Sequence, residues 1–254
     1  MALVALALEW TGPHGAGLVI GGASLGILAP SGAALRGRVR TFRTPLRSPV
    51  FALPAEVATA AAGARELVKR ALDLALAGLA IVLLAPVLLL IAMAVAIADG
   101  GPVFYTQWRV GRGGETFRML KFRSMRVDAE RAWTDHPGAK YRDDDRITPV
   151  GRLLRRASLD ELPQLLHVLS GRMSIVGPRP LPIYEAPAVP DWAAARWAVR
   201  PGLTCSWQVN GRSDVNWDER MGMDRRYATG WSLREDLALM TRTVGAVLSR
   251  RGAY

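Results

Sequence analysis

The stretch Leu74–Ala98, "LALAGLAIVLLAPVLLLIAMAVAIA", decides how this chain is built. Its 25 residues carry neither a charge nor a polar side-chain group. At about 1.5 Å of rise per residue, a helix of this length spans the roughly 30 Å hydrocarbon core of a bilayer. The alternative is the central helix of a soluble protein, but soluble helices are rarely apolar on every face. Pro86 stands in the middle. It removes a backbone donor and its ring crowds the carbonyl one turn earlier, so a sharp bend is expected there.

The flanking charges bear on topology. Arg65, Lys69 and Arg70 precede the stretch; Arg109, Arg112, Arg118, Lys121, Arg123 and Arg126 follow it. Basic residues favour the cytoplasmic side. A straight span would leave one basic flank outside, whereas a helix that turns back at Pro86 keeps both inside. The expectation is a re-entrant membrane helix broken at Pro86, with a kinked full span as the alternative.

Across the whole chain, 33 Lys and Arg face 22 Asp and Glu, a formal net charge of +11. Such an excess points to an anionic partner: nucleic acid, a phosphorylated ligand or an acidic membrane surface. The single cysteine, Cys205, excludes an intrachain disulfide and suits a reducing compartment. His14, His136 and His167 are too scattered for a zinc site. Residues 1–65, rich in Ala, Gly and Pro, read as a flexible N-terminal region of no assigned role. No basic residues precede their uncharged run, so it is not a standard signal peptide. Residues 66–99 form the membrane-inserted segment and residues 100–254 the folded domain beside it.

Within that domain, Val103–Trp108 and Thr116–Phe122 are β-rich runs on either side of Gly-rich turn signals and predict a hairpin. A helix is expected from Pro149 with Thr148 as its cap. Its Arg152, Arg155 and Arg156 make it basic and amphipathic, suited either to an anionic membrane surface or to plain solvation. Pro187, Pro190, Trp192 and Trp197 mark an irregular stretch with a short helix. Arg200–Arg212 reads as strand and turn, and a final amphipathic helix runs from about Ser232 to Leu248 with a Ser232–Glu235 capping box. The fold class is therefore α+β and mainly helical: a re-entrant helix, amphipathic interfacial helices and a small β element around a cytosolic site.

The chemistry centres on Asp160 and Glu161, in "RASLDELPQLLHVLSGRMSIVGPRP" (Arg156–Pro180). Ser158-x-x-Glu161 fits a capping box, and an acidic residue is favoured early in any helix, so capping alone accounts for the pair. The surroundings argue for more. Arg179, held between Pro178 and Pro180, can aim a planar guanidinium at a phosphate, and Lys121 and Arg123 add charge. An ionised aspartate beside phosphate-binding cations is suited to attack phosphorus, and Glu161 to hold a metal or manage a proton. Trp108 and Trp207 are candidates to stack a base, or simply core residues.

Four stretches, "QWRVGRGGETFRMLKFRSM", "DRITPVGRLLRRASLDELPQLLHVLSGRMSIVGPRP", "RPGLTCSWQVNGR" and "YATGWSLREDLALMTRT", resemble successive blocks of the bacterial sugar transferases, over roughly Lys69 to Val247. These are monotopic polyprenyl-phosphate phosphoglycosyl transferases, which initiate exopolysaccharide, O-antigen and glycoprotein glycan assembly. The resemblance implies transfer of a sugar-1-phosphate from a UDP-sugar to undecaprenyl phosphate, with release of UMP. It implies Mg²⁺ and a covalent phosphosugar on the residue matching Asp160. It further implies catalytic and metal-holding roles for Asp160 and Glu161, and substrate binding by Lys121, Arg123, Arg179 and Arg212. The setting would be the bacterial inner membrane, with residues 100–254 as the catalytic domain on its cytoplasmic face and a homodimer an allowed assembly. Where the family breaks its membrane helix near a Ser-Pro pair, this chain has Ala85-Pro86. A membrane-anchored, non-enzymatic binder of anionic lipid or nucleic acid is the competing class; such a binder gains nothing from an Asp-Glu pair, and nucleic acid is not expected as a partner.

Overall fold

The structure, a computed structural model, describes residues 63–127, 129, 144–211 and 214–249. The expected flexible region thus lies almost wholly outside the described residues, as does Arg212. Helix α1 (Ala64–Asp99) is followed by the antiparallel hairpin β1 (Phe104–Val110) and β2 (Thr116–Phe122). Then come α2 (Pro149–Arg156), a 3₁₀ turn at Leu159–Gln164, α3 (Leu165–Leu169) and β3 (Ser174–Val176). A further 3₁₀ segment (Asp191–Ala198), β4 (Gly202–Thr204), α4 (Ser206–Val209), α5 (Trp217–Gly230) and α6 (Leu233–Ser249) complete the fold.

The apolar stretch is the heart of α1, and helical backbone continues through Pro86. The expected break is therefore corrected: this is one helix, not two. The physical reason is that proline's fixed φ near −65° is itself helical, and the packing of both halves of α1 on the same domain offsets the lost hydrogen bond and the crowding that the ring imposes one turn earlier. How α1 meets the rest of the molecule is more telling. Lys69, Asp73, Ala77, Ile91 and Val95 are buried, and Ile81, Leu84 and Leu88 half-buried, a stripe at three- and four-residue spacing along nearly the whole helix. Ahead of Pro86, Ala77 packs with Phe117, Met119 and Val168; beyond it, Ile91 and Val95 pack with Phe122 and Leu154. Both halves thus lie against the same hairpin. The opposite face exposes Val82, Leu83, Leu90 and Ile97, at 61–84 % of their surface. A helix this apolar, docked along one stripe and bare on the others, is built to have lipid as its remaining neighbour.

The start of α1 is tied down by polar groups. Glu66 pairs with Arg200 and Arg112. Lys69 Nζ meets Asp236 of α6 at 2.5 Å, Arg70 donates to the carbonyls of Val168 and Leu169 at the end of α3, and Asp73 accepts from Ser174 Oγ and Ile175 N of β3. These bonds offset much of the desolvation of the groups buried here, although Asp73 Oδ2 has no partner among the described residues.

The hairpin forms as expected, in the register Phe104↔Phe122 to Val110↔Thr116, and rings 104 and 122 stack at 5.4 Å. Its turn places Gly113 and Gly114 at φ 69° and 77°, where a side chain would be strained. Thr148 caps α2 by accepting from Gly151 N at 2.9 Å. The irregular stretch holds the 3₁₀ segment Asp191–Ala198. Ser232 Oγ accepts from Glu235 N at the head of α6, one half of the expected capping box. Helix α5, with its Asn216–Glu219 capping box, was not anticipated.

Candidate active site

Asp160 and Glu161 lie in the first turn of the 3₁₀ segment Leu159–Gln164. They cap nothing. Ser158, the residue expected to open a capping box, has φ 55° and ψ 22° and makes no side-chain cap bond; it is the only non-glycine residue with positive φ among those described. A left-handed serine costs about 1–2 kcal/mol, and such strain is concentrated where a neighbouring side chain must be aimed. Here it turns the chain out of α2 and carries the two carboxylates inward.

They meet different fates. Glu161 Oε1 accepts from Lys121 Nζ at 2.7 Å and from Arg179 Nη2 at 2.5 Å, and Oε2 lies 3.3 Å from Arg179 Nη1. Burial opposes its ionisation, but Arg179 and Lys121 outweigh it and hold the carboxyl well below the usual carboxylate range. Asp160 is equally sunken, yet among the described residues it accepts no hydrogen bond; it is surrounded by the charges of Lys121, Arg155 and Arg179 at longer range. Burial, aided by Glu161 and opposed by those cations, pushes the Asp160 carboxyl up. Burial likewise pushes Lys121 down, against the pull of Glu161, while Glu161 outweighs burial and holds Arg179 above its usual range. One carboxylate is locked in a fork of two cations, and its neighbour is left with its oxygens open.

Three elements converge to do this: β2 supplies Lys121, the 3₁₀ segment the pair, and the loop after β3 supplies Arg179. The loop leaves a short parallel pairing of β3 with β4, in which Ser174 faces Gly202 and Val176 faces Thr204. Of the four residues expected to bind substrate, Lys121 and Arg179 are at the pair. Arg123 is not: its guanidinium lies beside Gly101, and the cations acting most strongly on the pair exclude it. Strand alternation would put Arg123 on the same face as Lys121, two residues earlier, but β2 ends at Phe122 and Arg123 falls just beyond it, where that alternation no longer sets its direction.

Arg155 is the further cation whose charge acts on Asp160. Instead of joining a membrane-facing stripe on α2, it donates from Nε to Ser124 Oγ at 2.8 Å and adds its charge to the field at Asp160. The available signal was spacing, since Arg155 lies five residues ahead of Asp160 across a tight turn. Trp207 lies against two guanidiniums, Arg179 at 6.0 Å and Arg220 at 4.8 Å from the ring centroid, while Trp108 stays on the hairpin beside Arg118. His167 is structural: its Nε2 accepts from Leu120 N at 3.0 Å, and burial pushes it down to about 4. Cys205 is buried and free, its thiol pushed up by burial.

A model of the bacterial sugar transferases matches residues 64–250. An exopolysaccharide production protein ExoY of Sinorhizobium fredii is 42 % identical over 198 residues, which cover 73 % of this chain and 88 % of that protein. A UDP-glucose:undecaprenyl-phosphate glucose-1-phosphate transferase of Caulobacter vibrioides is 44 % identical over 200 residues, 74 % of this chain and 73 % of its own. An undecaprenyl-phosphate galactose phosphotransferase of Salmonella typhimurium is 38 % identical over 198 residues, covering 73 % of this chain and 41 % of that one.

Proposed function

This chain belongs to the bacterial sugar transferase family, and we propose that it moves a sugar-1-phosphate from a UDP-sugar to undecaprenyl phosphate, releasing UMP, by way of a phosphosugar carried on Asp160. The observation that carries this reading is the asymmetry of the carboxylates: Asp160 accepts no hydrogen bond among the described residues, while Glu161 is held by Lys121 and Arg179. A buried carboxylate without donors keeps its lone pairs available and sheds little solvation on attack.

The chemistry is two displacements at one phosphorus. An Asp160 oxygen bonds to the phosphorus that bears the sugar, the bridging P–O bond of the diphosphate breaks, and UMP departs with the bridging oxygen. A phosphate oxygen of the polyprenyl acceptor then attacks the same phosphorus and expels Asp160 as a carboxylate, leaving a lipid diphosphate sugar. Arg179 and Lys121, both facing the pair, would share their donors between Glu161 and the incoming phosphate oxygens. Glu161 keeps them charged and in place until substrate arrives.

The donor set suits Mg²⁺. Among the described residues no group of three His, Cys, Asp or Glu side chains converges, and Mg²⁺ bound to phosphates typically asks the protein for only one or two carboxylates. Asp160, with open oxygens, and Glu161, if it yields a cation, would hold it. When bound, the ion would supply charge to offset repulsion between the carboxylate and the diphosphate.

The position of α1 supports a monotopic placement, with both ends of the helix on the cytoplasmic face of the inner membrane, because both halves dock on the same domain. An acceptor whose phosphate lies at the bilayer surface would then reach Asp160 without leaving lipid. The test is UMP release from purified protein given single UDP-sugars and undecaprenyl phosphate, with mass spectrometry for a phosphosugar adduct on Asp160. UDP-glucose and UDP-galactose are the first donors to try. Lipid binding without UMP release from any donor would return the protein to the class of anionic-lipid binders.

A further inference from the structure

Four successive carbonyls in the loop that carries Arg179 each have a partner. Pro178 O accepts from Gly202 N at 2.9 Å, Pro180 O from Arg109 Nη1 at 2.9 Å and Leu181 O from Val110 N at 2.9 Å. Arg179 O accepts from Arg196 Nη2 at 2.7 Å. Arg196 comes from the 3₁₀ segment Asp191–Ala198, and its Nε and Nη2 also hold Asp224 Oδ2 of α5, at 3.1 and 2.9 Å. Both side chains are 1 % exposed, and the Arg196 guanidinium lies 4.4 Å from the Trp197 ring centroid.

An ion pair buried this completely is a costly way to join two helices, and well-packed apolar side chains would join them at least as well. What apolar side chains cannot do is donate to the carbonyl of Arg179. That residue precedes Pro180, so its backbone is already confined to extended conformations. Holding its carbonyl removes the freedom left in ψ and so sets the direction in which the side chain departs. A long side chain magnifies any error at its root, and misplacement by about 1 Å costs on the order of a hundredfold in rate.

We infer that Arg196, with Asp224 as its counter-charge, is a positioning residue that aims Arg179 through the Arg179 carbonyl from outside the site. The inference rests on the reading above, in which Arg179 receives substrate phosphate. Neither Arg196 nor Asp224 has a hydrogen bond to Asp160 or Glu161, so their influence on turnover passes through the loop.

The experiment measures UMP release by the native protein, the apolar pair Arg196→Met/Asp224→Leu, the single change Arg196→Lys, and each of these combined with Arg179→Lys. The apolar pair keeps the volume, and relief from the desolvation of the buried ion pair is expected to offset the donor lost by the Arg179 carbonyl. It should keep a native-like melting temperature and lose roughly tenfold to a hundredfold in kcat/KM. Arg196→Lys keeps a charge beside Asp224 but cannot reach both acceptors at once, and should lose activity in the same sense. If the loss passes through Arg179, neither change should cost anything further in the Arg179→Lys background. Native kcat/KM in the folded apolar pair, or losses that multiply fully with Arg179→Lys in either arm, would overturn the role of Arg196 alone. Native kcat/KM in Arg179→Lys by itself would instead overturn the phosphate role of Arg179.

Discussion

Replacing Glu161 by Gln tests whether the fork of two cations is a structural device as well as a catalytic one. Removing one partner from a fully buried ion pair costs about 3–5 kcal/mol. Glu161 is 15 % exposed at its side chain, and glutamine keeps one oxygen that can accept from Lys121 or Arg179, so a loss of about 2 kcal/mol is the better figure. For a domain of this size that lowers the melting temperature by about 4–8 °C. The pH dependence follows from the depressed carboxyl of Glu161. Its contribution is complete above the ordinary glutamate value of 4.5 and is lost as pH falls through the lower folded value. Asp160 acts oppositely: pushed up in the fold, its ionised form costs stability near neutrality, and the cost is relieved on acidification. Since Asp160 is present in both proteins, the difference in melting temperature between native and Glu161→Gln chiefly reports Glu161. Thermal unfolding in detergent micelles should show a gap that is constant near neutrality and closes on acidification through the depressed value of Glu161. A gap under 1 °C at neutral pH, or one indifferent to acid, would mean that Lys121 and Arg179 do not depend on Glu161 for their stabilisation, and the argument from the fork would fail.

Asp160→Asn should fold and bind membranes as the native chain does, and lose on the order of 10⁴-fold or more of turnover, as nucleophile deletions do elsewhere; UMP release near the native rate would exclude Asp160 as nucleophile. Gly202→Ala should lower stability by several kcal/mol, because its Cβ would lie 2.1 Å from Gly177 N in the β3–β4 pairing; an unchanged melting temperature would contradict that close approach. Cysteines at Arg65 and Glu115, both exposed, should resist an impermeant thiol reagent in intact cells and react once the inner membrane is opened. The native Cys205 is buried and gives no background. Labelling of Arg65→Cys from outside would establish a full span.

Local signals carried well from sequence to structure where neighbours in the chain are also neighbours in space. The Gly113–Gly114 turn specified the hairpin, and Thr148 before Pro149 specified the start of α2, because each depends on a few contiguous residues. The Asp-Glu pair was visible for the same reason, although its reading as a cap was not: the left-handed turn at Ser158 is imposed by packing of α2 against the segment that follows. Arg123 and Arg155 show the limit. Both are basic and both are near the pair in sequence, and which one contributes is settled by how β2 and α2 are rotated against the 3₁₀ segment. The parallel contact of β3 with β4 depends on residues far apart in sequence, and no period within either three-residue strand announces it. Helix α5 was legible in its Asn216–Glu219 box but lacks a clean apolar stripe, since Met221, Asp224 and Tyr227 are its buried residues.

The polar fastening of α1 also constrains the order in which the protein comes into being. Lys69 and its partner Asp236 are 167 residues apart in sequence, and Asp73 and Ser174 are 101 apart. A ribosome adding about 5–20 residues per second takes roughly 10–30 s to cover the longer interval. During that delay the apolar length of α1 is already made while the groups that will receive its charged end do not yet exist. The hairpin that packs on its apolar stripe follows within a few tens of residues, but the groups that fasten its charged end come last. On the monotopic placement proposed above, insertion then precedes the fastening of Lys69 and Asp73, and the domain that receives them folds onto a helix already in place. On this schedule the bilayer is the first subunit with which the nascent chain assembles.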